Sequence, residues 1–125
     1  MINIAIIGTG GIAKTHLEGF LQFPERCQVR ALVDIYPEKA HKLCEQFGLN
    51  SIIYSDYQKI LEDTQIDLVS ICTPPYLHAE TAIACLNQGK HVTCEKPMAP
   101  SLEECDAMIE AYQKNKGTLS IIAQY

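Results

Sequence analysis

One lysine in the sequence stands where a charged amine can act on a bound molecule. Lys96 lies between Glu95 and Pro97, directly after an apolar run that predicts a strand. An ammonium group at the end of a strand can hold a hydroxyl or carbonyl oxygen, or take part in proton transfer. The alternative is a solvated loop lysine, and position alone does not separate the two interpretations. The Lys96–Pro97 bond is a candidate for the cis form, which costs least at X-Pro bonds.

A cluster of glycines after the first apolar run predicts a loop that approaches a phosphate group. Gly8, Gly10 and Ala13 fit the spacing G-x-G-x-x-G/A. In this motif the first glycine allows a tight turn and the second allows close approach to a pyrophosphate. The N-terminus of the following helix presents unpaired N–H groups and a partial positive charge, which favour a diphosphate. A glycine turn between any strand and helix would give the same match, so the motif needs support from its context.

Asp34 provides that support. It ends the next apolar run, VRALVD, 21 residues after Ala13, where a carboxylate can accept hydrogen bonds from the hydroxyls of an adenosine ribose. The alternative is a structural turn in which Asp34 caps the next helix. The strand, the glycines and the acidic residue together favour dinucleotide binding. Asp34 followed by Ile35 and Tyr36 favours NAD, because a carboxylate repels the 2′-phosphate of NADP and no arginine follows, although Lys39 compensates in part.

The remaining polar candidates are a threonine and four histidines. Thr73, in the Thr-Pro-Pro segment at 73–75, either lines a nicotinamide ribose or belongs to a turn that ends a strand. His78 begins a helix and either faces the same cleft or has a structural role, which is the commoner outcome. We expect His16 to pack or to form hydrogen bonds locally. His41 and His91 have no neighbours that suggest a function, and no G-x-S-x-G motif for serine catalysis is present.

Six apolar runs alternate with helical patterns and position these residues. Strands are predicted at 2–7, 28–33, 51–54, 67–72, 91–94 and 119–123, and helices at 12–23, 37–47, 56–61, 77–88 and 102–114. Ser101 is the expected N-cap of the last helix, with Glu104 three residues on. Short connections require right-handed crossovers in a parallel sheet. The sequence therefore predicts one α/β domain over 1–125, a doubly wound Rossmann sheet of six strands in the order 3-2-1-4-5-6.

Ligands of such a sheet bind beyond the carboxyl ends of the strands, at the point where the strand order reverses. The prediction therefore places the candidate site in the segments that directly follow strands. These segments are 8–12, Asp34, 73–76, 95–97 and 124–125.

Composition excludes several classes of partner. A chain of 125 residues that is 47% hydrophobic can build one core, and a net charge of -5 without a basic cluster argues against nucleic acid. No apolar run approaches the roughly 20 residues of a membrane span, and the start lacks a signal-peptide layout, so we expect no membrane and a cytoplasmic protein. The six cysteines show neither C-x-x-C nor zinc spacing, which predicts buried free thiols and no metal site.

Four segments carry a family resemblance. They are GTGGIA with His16 three residues on, VD at 33–34, CTPPYLHAE at 72–80 and, above all, GKHVTCEKPMA at 89–99. Together they resemble the N-terminal domain of the Gfo/Idh/MocA oxidoreductases, the family of glucose-fructose oxidoreductase and inositol dehydrogenase. The resemblance covers essentially the whole chain. The last block is more specific than the glycine motif, because it contains a strand, its end and the lysine together.

The resemblance implies one catalytic residue, Lys96, which orients the substrate oxygen, and a set of cofactor-binding residues. That set is Gly8, Thr9, Gly10, Gly11, Ile12, Asp34, Ile35, Thr73, Pro74, His78, Glu95 and Lys96. By the same resemblance the glycines and Ile12 hold the diphosphate, Asp34 the adenosine ribose, and Thr73, Pro74 and His78 the nicotinamide side. Family members transfer a hydride between a hydroxyl or carbonyl carbon, commonly of a sugar, cyclitol or polyol, and NAD or NADP.

The family continues from its sixth strand into an arginine and a second α/β domain, which supplies the substrate pocket, a catalytic His and Asp, and the oligomer interface. This sequence ends at Tyr125, so we expect cofactor binding without efficient turnover, and self-association through the surface around strand 6. Two alternatives stay open. One is a non-catalytic NAD(H)-binding sensor or regulatory module, and the other is an NAD-dependent hydrolase or lyase, because a fold does not determine a reaction.

Overall fold

The computed structural model describes residues 1–123, so the predicted site positions Gln124 and Tyr125 lie outside the described residues. Its strands are β1 (Ile2–Ile7), β2 (Cys27–Val33), β3 (Ile52–Tyr54), β4 (Leu68–Ile71), β5 (His91–Glu95) and β6 (Leu119–Ile122). Its α-helices are α1 (Gly11–Leu21), α2 (Pro37–Phe47), α3 (Gln58–Glu62), α4 (His78–Asn87) and α5 (Leu102–Lys114), with a short 3-10 turn at Pro75–Leu77.

The strands form one sheet in the order β3-β2-β1-β4-β5-β6, and every pairing is parallel. This confirms the predicted topology. The order reverses at β1, which pairs with β2 on one side and with β4 on the other. The loops that follow β1 and β4 therefore lie side by side at the carboxyl edge of the sheet, where a parallel α/β sheet binds its ligands.

Both faces of the sheet are covered, as is typical of a parallel sheet whose strands are unbroken apolar runs like that of β1. Alternate side chains of β1 point to opposite faces. Ile4 and Ile6 pack in a cluster with buried residues of α1 and α2, whereas Ala5 and Ile7 pack in a second cluster with residues of α3, α4 and α5. The central strand is thus anchored from two sides, which fixes the position of the turn that follows it.

Local signals set the helix ends. Ser101 Oγ accepts a hydrogen bond of 3.2 Å from the Glu104 N–H, which confirms the predicted N-cap of α5. Gly48 adopts φ +63° just after α2, the left-handed conformation that commonly ends a helix. Helix α3 begins two residues later than predicted, because Asp56 Oδ1 accepts from the Gln58 N–H and acts before the helix rather than within it.

One lysine is buried near the amino edge of the sheet. Lys90 precedes β5 and is 4% exposed, and its Nζ donates to the carbonyl oxygens of Asp63 at 2.8 Å and Ile66 at 3.1 Å. Burial lowers the pKa of Lys90, against the opposing influence of nearby Cys85, Asp63 and Asp67. This ammonium ties the start of β5 to the segment before β4. None of the helices within residues 1–123 is long and apolar enough to cross a membrane.

Candidate functional site

Gly8 forms the turn after β1 and cannot be another residue without strain. Its φ is +92°, and a Cβ added there would lie 2.9 Å from the carbonyl carbon and oxygen of Cys72 and 3.0 Å from the nitrogen of Thr73. All three atoms belong to the backbone, which cannot move aside as a flexible side chain can. The missing side chain therefore allows the end of β1 to pack against the end of β4.

Gly10 and Gly11 are glycines for a different reason. Gly10 precedes α1 with an ordinary φ of -79°, no side chain caps the helix, and its first turn carries no acidic residue. A Cβ at either glycine would meet nothing within 4 Å. The protein's own packing therefore does not require glycine at these positions, and the open space lies at the N-terminus of an 11-residue helix, whose free N–H groups favour an anion.

Asp34 follows β2 and is held by the loop after β1. Its Oδ2 accepts from the Thr9 N–H at 3.0 Å and from Thr9 Oγ1 at 2.6 Å, and its Oδ1 accepts from the Tyr36 N–H at 2.9 Å. Partial burial acts to raise the pKa of Asp34, but these hydrogen bonds and the charge of Lys39 outweigh it and lower the pKa overall. A carboxylate oxygen accepts more than one hydrogen bond, so Asp34 retains capacity for a ligand hydroxyl.

Thr9 and Ile35 occupy contrasting environments beside Asp34. Thr9 is 9% exposed and directs its hydroxyl to the carboxylate, whereas Ile35 is 76% exposed and follows it directly. Tyr36 is also exposed, and the Nζ of Lys39 lies 5.3 Å from the centroid of its ring. The carboxylate is therefore fixed on one side by Thr9 and bordered on the other by exposed apolar surface.

The segment after β4 contributes a hydroxyl without a partner. Thr73 Oγ1 is buried and forms no hydrogen bond within the described part of the chain, and Pro74 beside it is exposed. Buried hydroxyl groups are nearly always hydrogen-bonded in folded proteins. An unsatisfied hydroxyl next to Gly8, at the carboxyl edge of the sheet, fits a ligand that supplies the missing partner.

His78 links the loop after β4 to the loop after β5. It is 1% exposed, its Nδ1 lies 2.8 Å from the carbonyl oxygen of Pro97, and its Nε2 lies 2.8 Å from that of Thr73. Both ring nitrogens therefore face backbone carbonyl oxygens, which can only accept hydrogen bonds. Of the two roles predicted for His78, the structural one agrees with these contacts, because the ring joins the loop after β4 to the loop after β5.

His16 packs locally against Phe20, with ring centroids 6.5 Å apart, and it also makes a long-range contact that was not predicted. From α1 its Nε2 donates to Glu95 Oε2 at 2.6 Å, and its Nδ1 lies 3.1 Å from Ser70 Oγ. Glu95 ends β5 and is 8% exposed, so its carboxylate is directed to His16. Helical spacing could not show this contact, since 79 residues separate the pair. A signal was available in strand register, because Ser70 and Cys72 lie on the same face of the sheet as Glu95.

The Cys72 thiol lies near the negative charge of Glu95. Burial raises its pKa to about 11, the hydrogen bond with Ser70 acts to lower it, and the neighbouring negative charge of Glu95 raises it further. The Cys72 thiol is therefore unreactive. Lys96, the next residue after Glu95, is exposed, and the peptide bond from Lys96 to Pro97 is cis, as the sequence suggested.

These loops meet at one edge of the sheet. The glycine turn, Asp34, Thr73 and the Glu95–Lys96 segment follow four adjacent strands, β1, β2, β4 and β5. An open doubly wound sheet with a glycine turn before an uncapped helix and an acidic residue after its second strand defines a dinucleotide-binding Rossmann domain.

Comparison with known proteins identifies the family. The Gfo/Idh/MocA family model, described as the NAD-binding Rossmann fold of an oxidoreductase family, matches residues 2–123. The chain belongs to this family, as its sequence segments suggested.

Relatives of known activity are moderately similar to this chain. Levoglucosan dehydrogenase of Pseudarthrobacter phenanthrenivorans is 36% identical over 98% of the chain and 33% of its own length. Inositol 2-dehydrogenase of Salmonella typhimurium is 32% identical over 91% of the chain and 34% of its own length. The WlbA dehydrogenase of Bordetella pertussis, solved with NADH and UDP-GlcNAcA, superposes with a TM-score of 0.89 at 26% identity, over 97% of this chain and 36% of that one. The chain thus spans about a third of the length of the relatives it matches.

Proposed function

We propose that residues 1–125 form the NAD-binding domain of an oxidoreductase that acts on a hydroxyl or carbonyl carbon of a sugar, a cyclitol or a related polyol. Family membership and the names of the relatives support this activity. A levoglucosan dehydrogenase, an inositol 2-dehydrogenase and an NADH complex of WlbA share the fold or the sequence pattern. The activity and the substrate class are part of the proposal, because the chain spans about a third of these relatives.

One observation carries the cofactor part of the proposal. Gly10 and Gly11 leave open space at the uncapped N-terminus of α1, although neither backbone conformation nor internal packing requires glycine there. A bound diphosphate explains both the space and the uncapped helix end, since it would accept from the free N–H groups and require the close approach that only glycine permits.

The remaining roles follow the same edge of the sheet. Gly8, Thr9 and Ile12 shape the diphosphate loop, Asp34 accepts from the adenosine ribose hydroxyls, and Ile35 offers apolar surface next to them. Thr73 and Pro74 border the nicotinamide side, with His78 behind them. Lys96 is the proposed catalytic residue, whose ammonium orients the substrate oxygen and takes part in moving its proton. When bound, NAD supplies the acceptor for the hydride that leaves the substrate carbon.

NAD is the proposed cofactor, with NADP as the weaker alternative. The hydrogen bonds from Thr9 and Tyr36 hold Asp34 in its ionised form. An ionised carboxylate accepts from a 2′-hydroxyl and repels a 2′-phosphate. The protein is proposed to be cytoplasmic, in keeping with six free cysteines, and to form homo-oligomers.

Calorimetric titration of the 125-residue chain with NAD, NADH and NADP tests the cofactor assignment. Asp34→Ala should weaken NAD binding by about 10- to 100-fold, the value of a lost hydrogen bond to a charged group. It should also raise the affinity for NADP relative to NAD. Glu45→Ala is the matched control, since it removes one exposed negative charge from the last turn of α2 and should leave affinity unchanged.

Two results would contradict the proposal. One is a folded chain that binds none of the three dinucleotides, and the other is an Asp34→Ala variant that binds NAD as tightly as the parent. The substrate class is tested separately, in a protein that joins this domain to the second domain implied by the family resemblance, by measuring NADH formation with a panel of sugars and cyclitols. There, Lys96→Met should remove turnover.

A further inference from the structure

The contact between His16 and Glu95 is a largely buried polar link between helix α1 and the end of strand β5. The side chains of His16 and Glu95 are 11% and 10% exposed, and their Nε2 and Oε2 atoms lie 2.6 Å apart. Ser70, fully buried on β4, lies 3.1 Å from the second ring nitrogen of His16. The link therefore runs from α1, across β4, to the last residue of β5.

The carboxylate of Glu95 depends on His16 for this hydrogen bond. A carboxylate with so little exposure is costly without a hydrogen-bond donor, and His16 supplies one to Glu95. Without His16 the carboxylate would have to turn toward water. Because Lys96 is the next residue, such a turn would displace the lysine as well.

The helix that carries His16 is held independently of this contact. Ala13 and Leu17, which flank His16 on α1, are both fully buried in the apolar cluster shared with β1 and α2. The glycine loop at the start of α1 therefore keeps its place when the histidine is lost. The carboxyl end of β5 has no comparable apolar anchor on that face, since its Glu95 is polar and the next two residues are exposed.

We infer that His16 is a positioning residue, which holds Glu95 and thereby places the Glu95–Lys96 segment against the nicotinamide end of a dinucleotide. This inference rests on the proposed function, because it assigns the nicotinamide end to that segment. It predicts that the loss of His16 weakens the binding of the nicotinamide half of the dinucleotide more strongly than the binding of the adenosine half, which Asp34 holds.

The test compares NADH with ADP-ribose, a probe that carries the adenosine and the diphosphate but no nicotinamide. In the 125-residue chain, His16→Leu should weaken NADH binding by about tenfold and ADP-ribose binding by less than about twofold. His16→Gln retains an N–H donor for Glu95 and should restore most of the NADH affinity. His41→Leu, an exposed histidine on α2, is the control and should change neither dissociation constant.

A second variant keeps the test decisive if His16→Leu fails to fold. Glu95→Gln removes the charge with little change of shape and should give the same separation of NADH from ADP-ribose. When Glu95→Gln is combined with His16→Leu or His16→Gln, the loss of NADH binding free energy should be smaller than the sum of the losses in the two single variants. Such non-additivity is expected for residues that act through one contact.

Three results would overturn the inference. They are unchanged NADH binding in His16→Leu, equal losses for NADH and ADP-ribose, and additive effects of the His16 and Glu95 variants. Failure of the proposed function is recognised separately, because the unmodified chain would then bind neither ligand.

Discussion

Gly8 and Gly10 lie two residues apart in one loop, yet the structure predicts opposite consequences for their replacement by alanine. At position 8 an alanine must adopt φ +92°, and its methyl group must lie 2.9 Å from the backbone of Cys72. A left-handed conformation costs an ordinary residue about 1–2 kcal/mol, and an overpacked core costs about 1–3 kcal/mol. Gly8→Ala should therefore lower the free energy of unfolding by about 2–5 kcal/mol, a large part of the stability of a small domain.

Gly10→Ala is the matched comparison. Its φ of -79° suits alanine, and no atom beyond Gly10 and its two chain neighbours lies within 4 Å of the added carbon. The free energy of unfolding should change by less than about 1 kcal/mol, because a small loss at the helix cap is offset by a stiffer unfolded chain. Binding of NAD should nevertheless fall by at least about tenfold, because the methyl group occupies the space assigned to the diphosphate.

Urea unfolding followed by circular dichroism measures the first quantity, and calorimetric titration with NAD measures the second. Gly8→Ala should lose stability, whereas Gly10→Ala should keep its stability and lose affinity for NAD. A Gly8→Ala variant within about 0.5 kcal/mol of the parent would refute the packing argument. A Gly10→Ala variant that binds NAD normally would refute the assignment of the open space to a diphosphate.

Three further predictions concern stability and thiol chemistry. Burial acts to raise the pKa of Asp63, but the hydrogen bond and charge of Arg30, 2.9 Å away, and further donors lower it overall. Its contribution to stability is therefore present above the ordinary value of 3.8 and is lost as pH falls through the lowered pKa. Urea midpoints measured through this acid range should decline less steeply in Asp63→Asn, and an equal decline would contradict the argument. Ser101→Ala should lower the free energy of unfolding by about 1 kcal/mol in urea titrations, with Ser101→Asn restoring it, because the cap of α5 is lost in the first and kept in the second. Ellman's reagent should modify the three half-buried thiols first and reach the other three only on unfolding, and an early reaction of all six would argue against their burial. Burial raises the pKa values of the slow group, Cys72, Cys85 and Cys94, to about 11, 12 and 12.

Most of the fold was predictable because its signals are local. The apolar run of β1, the bounds of α2 and the cap at Ser101 each depend on a few neighbouring residues, and each is found as predicted. The strand order followed from the alternation of strands and helices, since short crossovers leave few alternatives. Element ends differed by a residue or two where a side chain such as that of Asp56 competes with the backbone.

The contacts within the site were harder to predict, because they join residues far apart in sequence. Thr9 and Asp34 were both expected at the carboxyl edge, but their hydrogen bond depends on how the loops after β1 and β2 meet. His78 was expected near this edge, and only the fold shows that its ring is enclosed between two carbonyl groups. The hydrogen-bond partner of His16 was not predicted, since it lies at the end of β5. Lys90 received no role, because its acceptors are backbone atoms that a sequence pattern does not display.

The central place of β1 in the sheet has a consequence for synthesis on the ribosome. Among these elements β1 is made first, but its partner β4 begins only at Leu68. Until that segment leaves the exit tunnel, one edge of an isoleucine-rich strand has no neighbour, and such an edge is a template for pairing with other nascent chains. Pauses in translation before β4 has left the tunnel should therefore prolong the exposure of this edge and reduce the yield of folded protein.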